Sequence, residues 1–225
     1  MTTLRTSDPD LDRAFELATR RAEALLAGGT IGPGEAAPLA AALLGAGVGA
    51  PARALLRLRL RDAGAAYHAW VGHPAPAEVR PLAAPAPAAP PSAADVARLL
   101  EAGDRADSSA LLRVLDGVLR GLWALEPDAP AGSLALRPRM PARWSIMALD
   151  RLRVGPAVLD LELRRRRGDL VARVRRLGGP PLVLTVAPDP PPAGPTAVDD
   201  VELAGGRARF QVVDRHEIVF RAAEG

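Results

Sequence analysis

The apolar residues of this chain recur at helical spacing up to about Gly132 and at every second position after it. A period near 3.6 buries one stripe of a helix, whereas a period of two buries one face of a strand. A chain that switches once, rather than alternating, forms an α+β fold with helices and strands segregated along the sequence. The helical half opens at Thr6-Ser7-Asp8-Pro9-Asp10, where a capping residue, a proline in the first turn and carboxylates meet the positive end of the helix dipole. Leu11, Phe15, Ala18, Ala22 and Leu25 follow on one face, and Gly28-Gly29 ends the run. Further helices are predicted over about 35–44 and 51–62, from the capping-box-like Ser92-Ala93-Ala94-Asp95, and from Ser108 to about Leu125. The last has an apolar face of Leu111, Leu115, Val118, Leu122 and Leu125 and stops at Glu126-Pro127.

Beyond Gly132 the alternating pairs are Leu134/Leu136, Leu159/Leu161/Leu163, Leu170/Ala172/Val174, Leu182/Leu184/Val186, Val201/Leu203, Phe210/Val212 and Ile218/Phe220. Turns are expected at Gly155-Pro156, Arg167-Gly168, Gly178-Gly179 and Gly205-Gly206. Short strands at this spacing predict an antiparallel β-sandwich. The expected organisation is a helical part over 1–131, with a Pro/Ala-rich connector at about 74–91, and a sandwich over 132–225. With 225 residues, about 70% of the unfolded surface can be buried, so the core needs no staple.

Composition narrows the function. Cysteine is absent, which removes disulfides, thiol nucleophiles and cysteine-ligated zinc. No apolar run reaches the length of a membrane span and no secretory signal is read at the start, so a cytoplasmic protein is expected. The pI of 10.6 suggests a nucleic-acid binder, but the net charge is only +3 and the chain holds no lysine. Few groups titrate between neutrality and the arginine range, so a small excess of Arg lifts the pI. The densest positive run, Arg164 to Arg167 before Gly168, falls at a hairpin tip without interleaved aromatics. A solvated charge run accounts for it better than nucleic-acid binding.

Two groups of residues carry candidate chemistry. Hydrolysing a glycosidic bond takes paired carboxylates. Glu35, Asp62, Glu78, Glu101, Asp104 and Asp107 all lie in or beside helix-connecting loops, where capping and solvation are their ordinary roles. Tyr67, His68, Trp70 and His73 bring the only Tyr, two of the three His and one of the three Trp within seven positions. Aromatic faces stack on sugar rings and His bonds hydroxyls, so these four are candidate substrate-binding residues; the alternative is a plug at the end of a helical core. His68, His73 and Glu78 match no standard metal spacing, and no nucleophile, Walker or dinucleotide motif is present, so no metal or cofactor is expected.

A family resemblance adds to this reading. Asp8-Pro9-Asp10-Leu11-Asp12-Arg13-Ala14-Phe15, continuing to Leu25-Leu26, resembles the opening helix of the catalytic domain of glycogen-debranching (amylo-α-1,6-glucosidase) proteins, members of the six-hairpin glycosidase superfamily. Gly121-Leu122-Trp123-Ala124-Leu125-Glu126-Pro127-Asp128-Ala129-Pro130-Ala131-Gly132 resembles the junction where the last helix of that family's barrel enters its C-terminal β-domain. The likeness continues through Leu134-Ala135-Leu136-Arg137-Pro138, Met140-Pro141, Trp144 and Leu152-Arg153-Val154-Gly155 to Leu159-Asp160-Leu161. Ala52-Arg53-Ala54-Leu55-Leu56 is more loosely similar to the second helix of a barrel hairpin. The resemblance implies a partial α/α toroid of antiparallel helices followed by the sandwich. It places the family's catalytic base in the loop corresponding to Glu101, Asp104 and Asp107, while the hairpins that would carry the general acid are missing. The implied protein binds an oligosaccharide or α-glucan, or serves as a structural subunit, without a complete acid/base pair. Helix faces left uncovered by the missing hairpins imply self-association or a partner chain. The alternatives are an active hydrolase of α-glucosidic bonds, pairing Glu101, Asp104 or Asp107 with Glu35, Asp62 or Glu78, and an Arg-rich nucleic-acid module.

Overall fold

The computed structural model describes residues 2–28, 39–40, 42–43, 46, 88–194, 196–199, 201–203 and 206–222. The chain is α+β, as the switch of period predicts. Strand β1 (Thr3–Thr6) precedes helix α1 (Pro9–Gly28); α2 (Ala93–Ala102), a 3-10 turn (Gly103–Arg105), α3 (Ser108–Asp116) and a π-helical turn (Gly117–Leu122) follow. The remaining strands are β2 (Leu125–Asp128), β3 (Ser133–Leu136), β4 (Ile146–Val154), β5 (Ala157–Arg166), β6 (Asp169–Gly178), β7 (Leu182–Val186), β8 (Thr196–Val198), β9 (Val201–Leu203), β10 (Ala208–Val212) and β11 (Arg215–Phe220).

Local chemistry sets the helices. The Asp8 carboxylate accepts from Leu11 N at 3.2 Å, and Asp12 reaches back to Thr6 N and Thr6 Oγ1 at 3.0 and 2.8 Å. Leu11, Ala14, Phe15, Ala18, Ala22 and Leu26 bury one face of α1. Ser92 and Asp95 form the reciprocal capping box of α2, and Asp107 caps α3 through Ala110 N at 2.8 Å. The helix expected from Ser108 to Leu125 is α only to Asp116. Trp123 N then donates to Val118 O, five residues back, and the widened turn carries Gly117 and Gly121. A Cβ at Gly121 would meet Ala89 O at 2.5 Å, and one at Gly117 would meet Pro91 Cδ at 2.9 Å. The 89–91 segment therefore lies in a seam that only glycine leaves open.

The strands form two sheets, ordered β1-β4-β5-β6-β11-β8-β9 and β10-β7-β3-β2. The sandwich expected from the sequence is present, with one departure. Where an all-antiparallel sandwich was expected, β3 and β7 pair in parallel; the other described pairings are antiparallel. Each sheet also takes a strand from outside 132–225, β1 in one and β2 in the other. Leu159, Leu161 and Leu163 of β5 and Leu182, Leu184 and Val186 of β7 point into one continuous core, which also takes in Phe15, Leu111, Leu115 and Trp123.

On the outer face of the larger sheet, Arg5, Ala148, Glu162, Arg173 and Glu217 stand in register across five strands. Glu162 accepts from Arg164 Nε at 2.8 Å, and Arg173 Nε donates to Glu217 at 2.7 Å. Three of the four arginines expected at a hairpin tip, Arg164 to Arg166, belong to β5, and Arg167-Gly168 makes the turn.

Candidate functional site

Asp107 spends its carboxylate on the α3 cap, accepting from Ser109 Oγ at 3.0 Å as well as from Ala110 N. These donors hold it below the usual carboxylate range. Glu101 is exposed on α2, and Asp104 in the following 3-10 turn lines a crevice against α1. Tyr67, His68, Trp70 and His73 lie outside the described residues, as do Glu35, Asp62 and Glu78. The third histidine, His216, sits on β11 with Nδ1 2.5 Å from Asp199 Oδ2 and its ring 4.8 Å from that of Phe210. Its Nε2 is buried with no hydrogen-bond partner. Among the described residues no group of three His, Cys, Asp or Glu is placed to hold a metal, and no helix is long and apolar enough to cross a membrane.

The outer face of the four-stranded sheet holds a cavity of 420 Å³. Its floor and rims follow from strand register. Arg209 pairs with Thr185, Thr185 with Ala135, and Ala135 with Glu126; one step along, Val183, Ser133 and Asp128 stand in line. Because side chains alternate across a strand, these residues share the face that turns away from Leu134, Leu136, Leu182 and Leu184. The floor is built of small side chains: Ala135 and Val183, with the hydroxyl-bearing Ser133 and Thr185. One rim, on β2, carries Glu126 and Asp128; the other, at β10, carries Arg207 and Arg209. Glu126 Oε1 takes Arg137 Nη2 at 2.6 Å, and Asp128 Oδ1 takes Ala131 N at 3.2 Å, so both carboxylates are held in place.

A trough of this kind offers hydrogen-bond acceptors on one side, donors on the other and a C–H surface between them. That is the complement of a sugar ring, whose faces are C–H rich and whose edges are hydroxyls. The sequence did not point to the trough. Leu125-Glu126-Pro127-Asp128 is read as the stop of a helix, yet its polar residues alternate as those of an edge strand do, and that alternation was the available signal.

No protein-family model and no curated protein matches the chain. Among solved structures, it is similar to an α-L-rhamnosidase of Streptomyces avermitilis, crystallised with L-rhamnose, at 15% identity and a TM-score of 0.36, over 50% of this chain and 11% of that one. It is also similar to a GH127 β-L-arabinofuranosidase of Geobacillus stearothermophilus T6, at 8% identity and a TM-score of 0.32, over 49% of this chain and 18% of that one. Both are named as glycosidases, and neither as a debranching protein; the chain spans less than a fifth of either.

Proposed function

We propose that this chain is a sugar-binding protein of glycosidase-like descent, without a complete catalytic acid/base pair, that holds a neutral oligosaccharide on the outer face of its four-stranded sheet. The observation that carries the reading is the trough itself, with Glu126 and Asp128 facing Arg207 and Arg209 across a small-residue floor. The likeness of Gly121 to Gly132 to a helix-to-sandwich junction supports the same descent, and points to an α-glucan as the first ligand to test. The engagement of Asp107 as a helix cap argues against the alternative of an active hydrolase based on that residue.

The test is calorimetric titration with maltoheptaose beside an overnight hydrolysis assay on the same sample. Binding without hydrolysis is expected. Arg209→Ser and Asp128→Ala each remove a charge-assisted hydrogen bond and should weaken binding about tenfold or more. Maltoheptaose binding that both variants leave unchanged, or no binding at all, sinks this reading; hydrolysis restores the enzyme alternative.

A further inference from the structure

The crevice that Asp104 lines has a different electrostatic character. It encloses 410 Å³ between α1 and the α2 corner, and Arg13, Arg20 and Arg21 wall it on the α1 side. Residues seven and eight apart on a helix share a face, so α1 turns all three guanidinium groups into one opening. Six arginines elsewhere, Arg5, Arg113, Arg137, Arg139, Arg164 and Arg173, each reach a carboxylate at 3.2 Å or less. At the crevice Arg20 meets Glu16 only at 3.7 Å, and Arg21 Nε is buried with no hydrogen-bond partner. A buried donor without an acceptor is costly, and a small shift of the Arg21 side chain onto a bound acceptor would recover that cost.

We propose that this crevice binds the phosphate monoester of a sugar, with the phosphoryl group on Arg13, Arg20 and Arg21 and a hydroxyl of the sugar donating to Asp104. Three guanidinium forks match the oxygens of a phosphoryl dianion, which accept in pairs. One carboxylate beside them disfavours a bare phosphate but accepts well from a hydroxyl, so Asp104 selects for a ligand that carries both groups. Only the identity of the organic part rests on the sugar-binding reading above; the anion site stands on its own residues.

The experiment is calorimetric titration of the full chain at constant ionic strength with glucose 6-phosphate, inorganic phosphate and glucose. Glucose 6-phosphate should bind more tightly than inorganic phosphate. Arg13→Met and Arg21→Met should each weaken both about tenfold. Asp104→Asn should tighten inorganic phosphate and erase the preference for the sugar phosphate. Arg21→Met removes a buried donor that has no partner, so its thermal midpoint should hold or rise; should it misfold, the exposed Arg13→Met carries the same test. Changes below twofold in the Arg variants, weaker inorganic phosphate binding in Asp104→Asn, or equal affinity of the wild type for both phosphates overturns the proposal. The trough is judged separately, because Arg209→Ser should leave glucose 6-phosphate binding intact whether or not maltoheptaose binds.

Discussion

Gly121→Ala tests whether the seam between the π-helical turn and the 89–91 segment holds the helical part together. A Cβ there would lie 2.5 Å from Ala89 O, 2.6 Å from Ala89 C and 2.7 Å from Pro90 N. Ordinary contact begins at 3.4 Å, so the segment must retreat by about 0.9 Å. All three atoms are backbone, and no rotamer change relieves them. Overpacking of this kind costs roughly 1–3 kcal/mol, and the rigid neighbours place this site at the upper end. The helical preference for Ala over Gly returns up to about 1 kcal/mol. The net is a loss of about 2 kcal/mol, or roughly 4–8 °C in thermal midpoint for a chain of this size. Urea unfolding followed by far-UV circular dichroism measures it, with Gly178→Ala as the control because nothing lies within 4 Å of its added Cβ. Gly117→Ala, which presses on Pro91 at 2.9 Å, should weaken the fold less, and the double variant should fall short of the sum because both act on one segment. A Gly121→Ala protein as stable as the wild type would refute the seam.

Glu162→Gln removes the carboxylate that Arg164 grips at 2.8 Å and that Arg5 approaches at 3.7 Å on the sheet's outer face. Because Arg5 keeps Asp150 and Arg173 keeps Glu217, the loss should stay near 1 kcal/mol and shrink in high salt, as thermal midpoints at two ionic strengths would show. The helix caps predict a pH dependence. Asp95 is held below its usual range by the Ser92 hydroxyl, and Asp107 by Ala110 N–H. A carboxylate lowered in the fold stabilises fully above its unfolded value near 4 and loses that contribution as pH falls through the lower folded value. Asp107→Ala should therefore cost about 1 kcal/mol at pH 7, and urea midpoints should converge with the wild type below about pH 4. A gap that stays constant with pH would mean that the charge on Asp107 plays no part.

Much of this fold was legible because single-face burial writes itself into the sequence. β3, β5, β6, β7, β9, β10 and β11 all appear where alternation predicts them, and α1 begins at the expected cap. Besides β2, three kinds of element escaped. β4 runs Ile146-Met147-Ala148-Leu149, apolar on both faces, because Ala148 is covered from outside by the charged row on that sheet and so does not alternate. β1 holds one apolar residue, Leu4, and β8 the adjacent Ala197-Val198, so neither places apolar residues two apart. The π-helical turn depends on Ala89 and Pro90 filling the space beside Gly121, a tertiary contact that glycine spacing alone does not announce. Of the site residues, Asp104 was singled out as a carboxylate in a loop, but its arginine neighbours were not, since they lie more than eighty positions away on α1.

The parallel pairing of β3 with β7 is what creates the trough. β2 folds back on β3 and β10 on β7, so placing β3 beside β7 sends the acidic β2 and the basic β10 to opposite rims. Each rim alone is ordinary solvent-facing charge on an edge strand. Together they make a hollow whose two sides have opposite sign, where an anion drawn to Arg209 is repelled by Glu126 and Asp128, and a cation is treated in reverse. A neutral ligand bearing both donors and acceptors satisfies both rims at once. The α1 crevice has three positive groups against one negative, so it favours an anion, and Asp104 sets the further condition of a hydroxyl. On the two proposals made above, the hollows sort ligands by charge, and a sugar and its phosphate ester are the pair of molecules that differ by that property while sharing their hydroxyls.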